Sequence, residues 1–189
     1  VAVTDDGTVY FTDSSYRYGV DAFKEIMLSH AGTGRLLKYD PDSQRTTVLR
    51  ENLHFPNGLT LSPDGESLLM VETGRYRVLR YPLNESGSVG KATVFIDALP
   101  GVPDNINSTQ DGYWLAMPTP RNAMLDALAP YPFLRNVVAR LPSFLHPSAE
   151  RHPIVLKLGE DGEVLRNLQD ASGDVALVSS AYPHESSLY

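Results

Sequence analysis

A sequence of 189 residues is long enough for one domain and short for two ordinary ones, and 42% hydrophobic with 21% charged residues excludes a disordered chain. A formal net charge of −7 with no dense basic cluster argues against a nucleic-acid partner, because phosphates demand clustered Lys and Arg. The absence of Cys excludes disulfides, Cys-ligated zinc and a thiol nucleophile, and leaves the redox compartment open.

The chain opens with VAVTDDG, which is not a signal peptide, and carries no apolar run long enough to cross a membrane, so as given it reads as soluble. The first predicted element is an alternating hairpin, VAVTDDGTVYFTDS at 1–14, turning at Asp6-Gly7. Asp-Gly between alternating runs predicts a two-residue turn with both residues at positive φ. A helical stretch, DAFKEIMLSHA, covers 21–31, and a strand pair follows in GRLLKYDPDSQRTTVL at 34–49. The hairpin then returns as LTLSPDGESLLMVET at 59–73, turning at Asp64-Gly65, again with a strand pair behind it at 76–95. It returns once more as INSTQDGYWLAMPT at 106–119, turning at Asp111-Gly112, with IVLKLGEDGEVLRNL at 154–168 as its strand pair. Successive turn glycines lie 58 and 47 residues apart.

Four short strands per unit at this period predict the blades of an all-β β-propeller. A β-sandwich is also built from short antiparallel strands, but it would not repeat its turn chemistry in register three times. About three and a half blades are expected, fewer than the four or more that close a propeller. The expectation is therefore one partial propeller domain over 1–189, read as a piece of a longer protein that stops where a new strand begins at Ser187-Leu188-Tyr189. A helical insertion interrupts the third unit at about 117–152, with NAMLDALA at 122–129 and PFLRNVVARL at 132–141. Phe133, Leu134, Val137, Val138 and Leu141 recur at helical spacing, which leaves Arg135, Asn136 and Arg140 on the opposite face. Such helices either pack on top of the blades or form a lid over the channel mouth, where an apolar stripe lines a substrate pocket or touches a membrane.

Counting back seven residues from the turn Asp reaches Asn57 from Asp64 and Asp104 from Asp111. The repeat thus sets both at the same point, beside the first strand of a blade, which in a propeller lines the central channel. The third equivalent falls just before Val1. Carboxylate and amide oxygens converging on an axis suit calcium, which takes six to eight hard oxygen ligands at roughly 2.3–2.6 Å. Asn105 is adjacent and supplies another oxygen. Taken singly, Asn-Gly and Pro-Asp are ordinary turn dipeptides; their shared register is what points to a metal. The five histidines, His30, His54, His146, His152 and His184, lack metal-ligand spacing. Ser14-Ser15 reads as a strand-end pair rather than a nucleophile, and Asn84-Glu85-Ser86 and Asn107-Ser108-Thr109 match the glycosylation pattern. No nucleophile elbow, phosphate loop or H-E-x-x-H is present.

VYFTDSS at 9–15, GRLLKYDP at 34–41, FPNGLTLSPDG at 55–65, VPDNI at 102–106, DGYWLAM at 111–117 and the MLDALAPYPFLRNVVARL insertion together resemble the strictosidine synthase-like family, on the branch of the adipocyte plasma membrane-associated proteins. The resemblance implies a six-bladed propeller related to paraoxonases and the gluconolactonase group, of which this chain would be the C-terminal half. It implies that Asn57, Asp104 and Asn105 bind calcium, with a Glu and an Asn upstream of Val1 completing the site. The ion would polarise an ester or lactone carbonyl and stabilise the oxyanion. The same resemblance puts the catalytic base upstream, so no catalytic residue is assigned here. It also implies an upstream N-terminal signal or anchor helix, and with that helix association with a membrane; localisation stays open.

Strictosidine synthases themselves condense tryptamine with secologanin, assisted by a late Glu. Relatives read approximately S-E-x-x-E-H-D-G-x-L-Y where this chain has SSAYPHESSLY at 179–189. Ser180 and Pro183 stand at the two Glu positions and Glu185 at the turn Asp, so that condensation is not expected. The leading expectation is a calcium-dependent hydrolase acting on a small-molecule aryl ester or lactone. A non-catalytic propeller for binding or structure is the alternative, and a strictosidine synthase-type lyase ranks third.

Overall fold

The computed structural model describes residues 1–139, 141, 149–185 and 187–189. Three four-stranded antiparallel sheets follow one another in chain order. The first holds β1 (Ala2–Val3), β2 (Val9–Asp13), β3 (Gly34–Asp40) and β4 (Arg45–Leu53). The second holds β5 (Pro56–Leu61), β6 (Ser67–Glu72), β7 (Arg77–Pro82) and β8 (Thr93–Ile96), and the third β9 (Ile106–Thr109), β10 (Gly112–Met117), β11 (Ile154–Leu158) and β12 (Val164–Gln169). A last hairpin pairs β13 (Pro183–His184) with β14 (Ser187–Leu188). In each sheet the strands lie in chain order, as in three propeller blades and the start of a fourth.

The second strands of the second and third blades, β6 and β10, are buried on both faces, whereas β2 buries only Tyr10, and the sequence of β6 shows why. Ser67–Glu72 reads SLLMVE, a continuous apolar run rather than an alternating one. Leu68 and Met70 point toward the first blade, packing with Tyr10, Leu36 and Tyr81. Leu69 and Val71 point the other way, packing with Ile106, Tyr113, Leu115 and Leu156 of the third. Each fully buried Leu or Val contributes about 1.5–3 kcal/mol, so these inter-blade layers are the main cohesion of the fold. The outermost strands β4 and β12 are largely exposed.

The Asp-Gly turns differ from the expected geometry. Gly7, Gly65 and Gly112 take positive φ (82°, 74° and 119°), but Asp6, Asp64 and Asp111 do not. The reason is local. Each Asp carboxylate accepts the hydroxyl two residues earlier, from Thr4, Ser62 and Thr109, and this holds the Asp in ordinary backbone space while glycine alone makes the left-handed step.

The helical stretches form α1 (Phe23–Ser29), entered through a single tight turn at Val20–Ala22, with α2 (Ala123–Leu128) and α3 (Pro132–Ala139) in the insertion. Asn122 caps α2 by accepting from the Met124 and Leu125 N–H groups. On α3 the inward residue belongs to the polar face. Arg135 is buried, donating to the carbonyls of Met27 (2.7 Å) and Leu28 (2.8 Å) at the end of α1. Phe133, Leu134 and Val137 are exposed instead. Two carbonyls left without helical partners accept the guanidinium, and those bonds outweigh burial of the apolar stripe. The Asn136 side chain, Arg140 and the part of the insertion over 142–148, including His146, lie outside the described residues. No helix among the described residues is long and apolar enough to cross a membrane.

Candidate functional site

Asn57 is the second residue of β5, and Asp104 and Asn105 lead into β9. Two backbone bonds hold Asp104-Asn105 against β10, from Asp104 N–H to Ala116 O (2.9 Å) and from Ala116 N–H to Asn105 O (3.0 Å). A third crosses between blades, from Gly58 N–H to Asp104 O (2.9 Å). A Cβ on Gly58 would lie 2.6 Å from the Asn105 Cα and 2.7 Å from the Asp104 O, so the close approach of the two inner strands requires glycine there. The same N–H bond recurs one blade on, where Asn105 donates to Ser179 O (3.2 Å). Ser179 therefore holds in the fourth unit the place that Asp104 holds in the third. The sequence reading missed it, because 179–189 has no Asp-Gly turn from which to count.

The two residues singled out by the repeat meet, together with the adjacent Asn105. Asp104 Oδ1 accepts from the Asn57 amide at 2.7 Å and from the Asn105 amide at 3.2 Å. Burial pushes the Asp104 carboxyl above its ordinary value, opposed by the Asn57 hydrogen bond. One partly desolvated carboxylate with two side-chain amides is a hard-oxygen donor set. With their NH2 groups turned onto Asp104, the amides satisfy the carboxylate; rotated, each offers its oxygen to a cation. The donor chemistry fits calcium, for which these residues would supply three of the six to eight ligands. Among the described residues no group of three or more His, Cys, Asp or Glu is placed to hold a metal.

Above these residues opens a cleft of about 560 Å³. Asn57 and Asp104 stand at its floor, Phe23, Met27 and Leu28 of α1 and Leu125 of α2 supply apolar walls, and Asp104 and Glu150 are its carboxylates. Helices α1 and α2 thus border the cleft. Ser14 and Ser15 play structural parts. The Ser14 hydroxyl donates to Pro56 O (3.0 Å), and Ser15 is buried with its hydroxyl 2.8 Å from that of Thr33. Asn84 is exposed in a turn, whereas the Asn107 amide is bound to Ala181 O (2.9 Å) on the inner strand. Ser180 bonds the Asn107 amide, and Glu185 sits in the β13–β14 turn at φ 53°.

A contact that sequence spacing did not reveal brings His30 and His54 together, ring centroids 4.7 Å apart. Burial, then the nearby Arg135 and the other charges around it, lowers the His30 pKa to about 4. His54 is lowered as well, chiefly by burial.

The strictosidine synthase family profile matches residues 1–86. The adipocyte plasma membrane-associated protein of Salmo salar is 40% identical over 99% of this chain and 47% of its own length. Strictosidine synthase-like protein 6 of Arabidopsis thaliana is 37% identical over 90% of this chain and 45% of its own. The chain thus spans about half the length of the relatives it matches. Among solved structures, a calcium-binding regucalcin from Agrobacterium tumefaciens superposes with a TM-score of 0.57 at 19% identity, covering 88% of this chain and 43% of that one. A gluconolactonase from Xanthomonas campestris superposes at 0.56 and 17% identity, covering 95% and 46%. These two structures share the propeller fold with this chain.

Proposed function

Because this chain belongs to the strictosidine synthase-like family, we propose that it holds calcium through Asn57, Asp104 and Asn105 and takes part in the hydrolysis of an aryl ester or lactone in the cleft above them. One observation carries the reading: a partly desolvated carboxylate, met by two side-chain amides, lines a cleft to which Phe23, Met27, Leu28 and Leu125 give apolar walls. That two structures of this fold are described as a calcium-binding protein and a gluconolactonase agrees with the donor set.

When bound, calcium would supply Lewis-acid polarisation of the carbonyl and stabilisation of the developing oxyanion. The chain's own residues do the rest of what can be derived. Asn57, Asp104 and Asn105 hold the ion, and Gly58 lets their strands approach closely enough for them to converge. Phe23, Met27, Leu28 and Leu125 exclude water from the apolar body of the substrate. Condensation of the strictosidine synthase type has no support, since Ser180 and Pro183 provide no carboxylate and Glu185 lies in a turn.

The test is a thermal melt with millimolar calcium and then with chelator, followed by a screen of lactones and aryl esters. Calcium raises the melting temperature, and Asp104→Ala removes the rise by linkage. No calcium-dependent shift removes both metal and hydrolase. A shift without turnover of any ester or lactone leaves a calcium-stabilised binding propeller.

A further inference from the structure

A second cleft, of about 270 Å³, opens behind the first between the end of α1, the Thr73–Arg75 turn and α2. Four guanidinium groups line it, from Arg75, Arg77, Arg121 and Arg135, with two carboxylates, Asp97 and Asp126. That is a concentration of positive charge in a chain whose net charge is −7.

Two of the four are neutralised within the fold. Arg77 pairs with Glu72 at 2.7 Å, and Arg121 pairs with Asp126 at 2.9 Å while stacking 4.3 Å from the Tyr76 ring centroid. The other two are not. Among the described residues Arg75 meets the His54 ring, and Arg135, only 6% exposed, meets backbone carbonyls. The undescribed residues contain no Asp or Glu that could pair with them. Asp97 is exposed. The pKa of His30, in the same wall, is held below its ordinary value first by burial and then by Arg135, His54 and Arg75. A buried guanidinium without a carboxylate is costly, and an anion in the cleft would offset that cost.

The two clefts are neighbours. Met27, Tyr76, Arg121 and Leu125 line both, so the stacked Tyr76–Arg121 pair is a shared wall. We propose that the arginine cleft is an anion subsite, in which Arg75 and Arg135 receive the carboxylate or phosphate end of a small molecule whose apolar body lies in the larger cleft. This deepens the ester or lactone reading, on which it rests only in treating the larger cleft as the substrate's seat. It specifies a substrate or product that carries a negative group, and a carboxylate is what ester or lactone hydrolysis generates.

Titration calorimetry on the protein tests it, with phenylacetate as a probe long enough to enter both clefts and inorganic phosphate as a probe of the subsite alone. Both are expected to bind saturably, phenylacetate the tighter. Arg75→Gln, at an exposed position, weakens both by about tenfold, the scale of a lost charge-assisted contact. Asp104→Asn in chelator leaves phosphate binding intact, so the outcome is read whether or not the calcium and hydrolase reading survives. Absence of saturable binding by either anion, or unchanged binding in a folded Arg75→Gln, overturns the subsite. Phosphate binding tighter than phenylacetate overturns the shared ligand.

Discussion

Glycine 58 shows how one missing Cβ sets the axial site. The atoms that a side chain would strike are backbone, the Asn105 Cα at 2.6 Å and the Asp104 O at 2.7 Å, and backbone in the middle of an inter-blade contact cannot turn aside. Gly58→Ala is therefore expected to lower stability by about 1–3 kcal/mol, the cost of overpacking. It should also abolish the calcium-dependent rise in melting temperature, because the Asn57 to Asp104 contact of 2.7 Å depends on that approach. Denaturant unfolding and the calcium melt check the two effects separately, and a stable Gly58→Ala with a full calcium response would remove glycine from the account. At this scale the sequence was informative where it repeated. Asn57 and Asp104 were found by counting from a turn Asp, whereas Ser179 was hidden because its unit has lost that turn.

Among the elements, α3 shows most clearly what a sequence pattern leaves open. Periodicity located the helix of Pro132–Ala139, but its apolar face is outward and Arg135 is inward. Periodicity reports which residues share a face and nothing about what lies opposite. The end of α1, with free carbonyls on Met27 and Leu28, was the deciding neighbour. The same junction gives a pH dependence. His30 closes α1 in the left-handed region at φ 49° and faces Arg135, His54 and Arg75. Its pKa is about 4 folded and 6.5 free, so on acidification the unfolded chain binds the proton first. The stability it supports is complete above pH 6.5 and drains away as pH falls toward 4. The melting temperature should fall across that window, and His30→Asn, which tolerates the left-handed backbone, should flatten part of the fall. An identical profile in His30→Asn would exclude this junction as the source.

Across the molecule, the blades are joined by hydroxyls as well as by apolar layers. The Thr12 hydroxyl of the first blade donates to Asn57 O of the second (2.7 Å), and the Thr73 hydroxyl of the second donates to Pro103 O before the third (2.7 Å). Each accepting carbonyl lies beside an axial residue, so these bonds connect blade packing to the geometry of the site. Thr12→Val and Thr73→Val keep shape and remove the donor, and each is expected to cost about 1–3 kcal/mol by leaving a carbonyl unsatisfied. Denaturant midpoints measure it; the greater loss should fall at Thr73, which is only 2% exposed. A neutral Thr73→Val would show that the apolar layers alone hold those blades. The sequence by itself determined the strands, their grouping in fours and the pair of axial residues, because alternation, turn chemistry and repetition are local properties of the chain. Only the tertiary structure decided that Asn57, Asp104 and Asn105 touch, that Arg135 turns inward, and that four arginines separated in sequence share one cleft. Those facts depend on which surfaces neighbouring blades and helices leave free, and no local pattern encodes the partner across a contact.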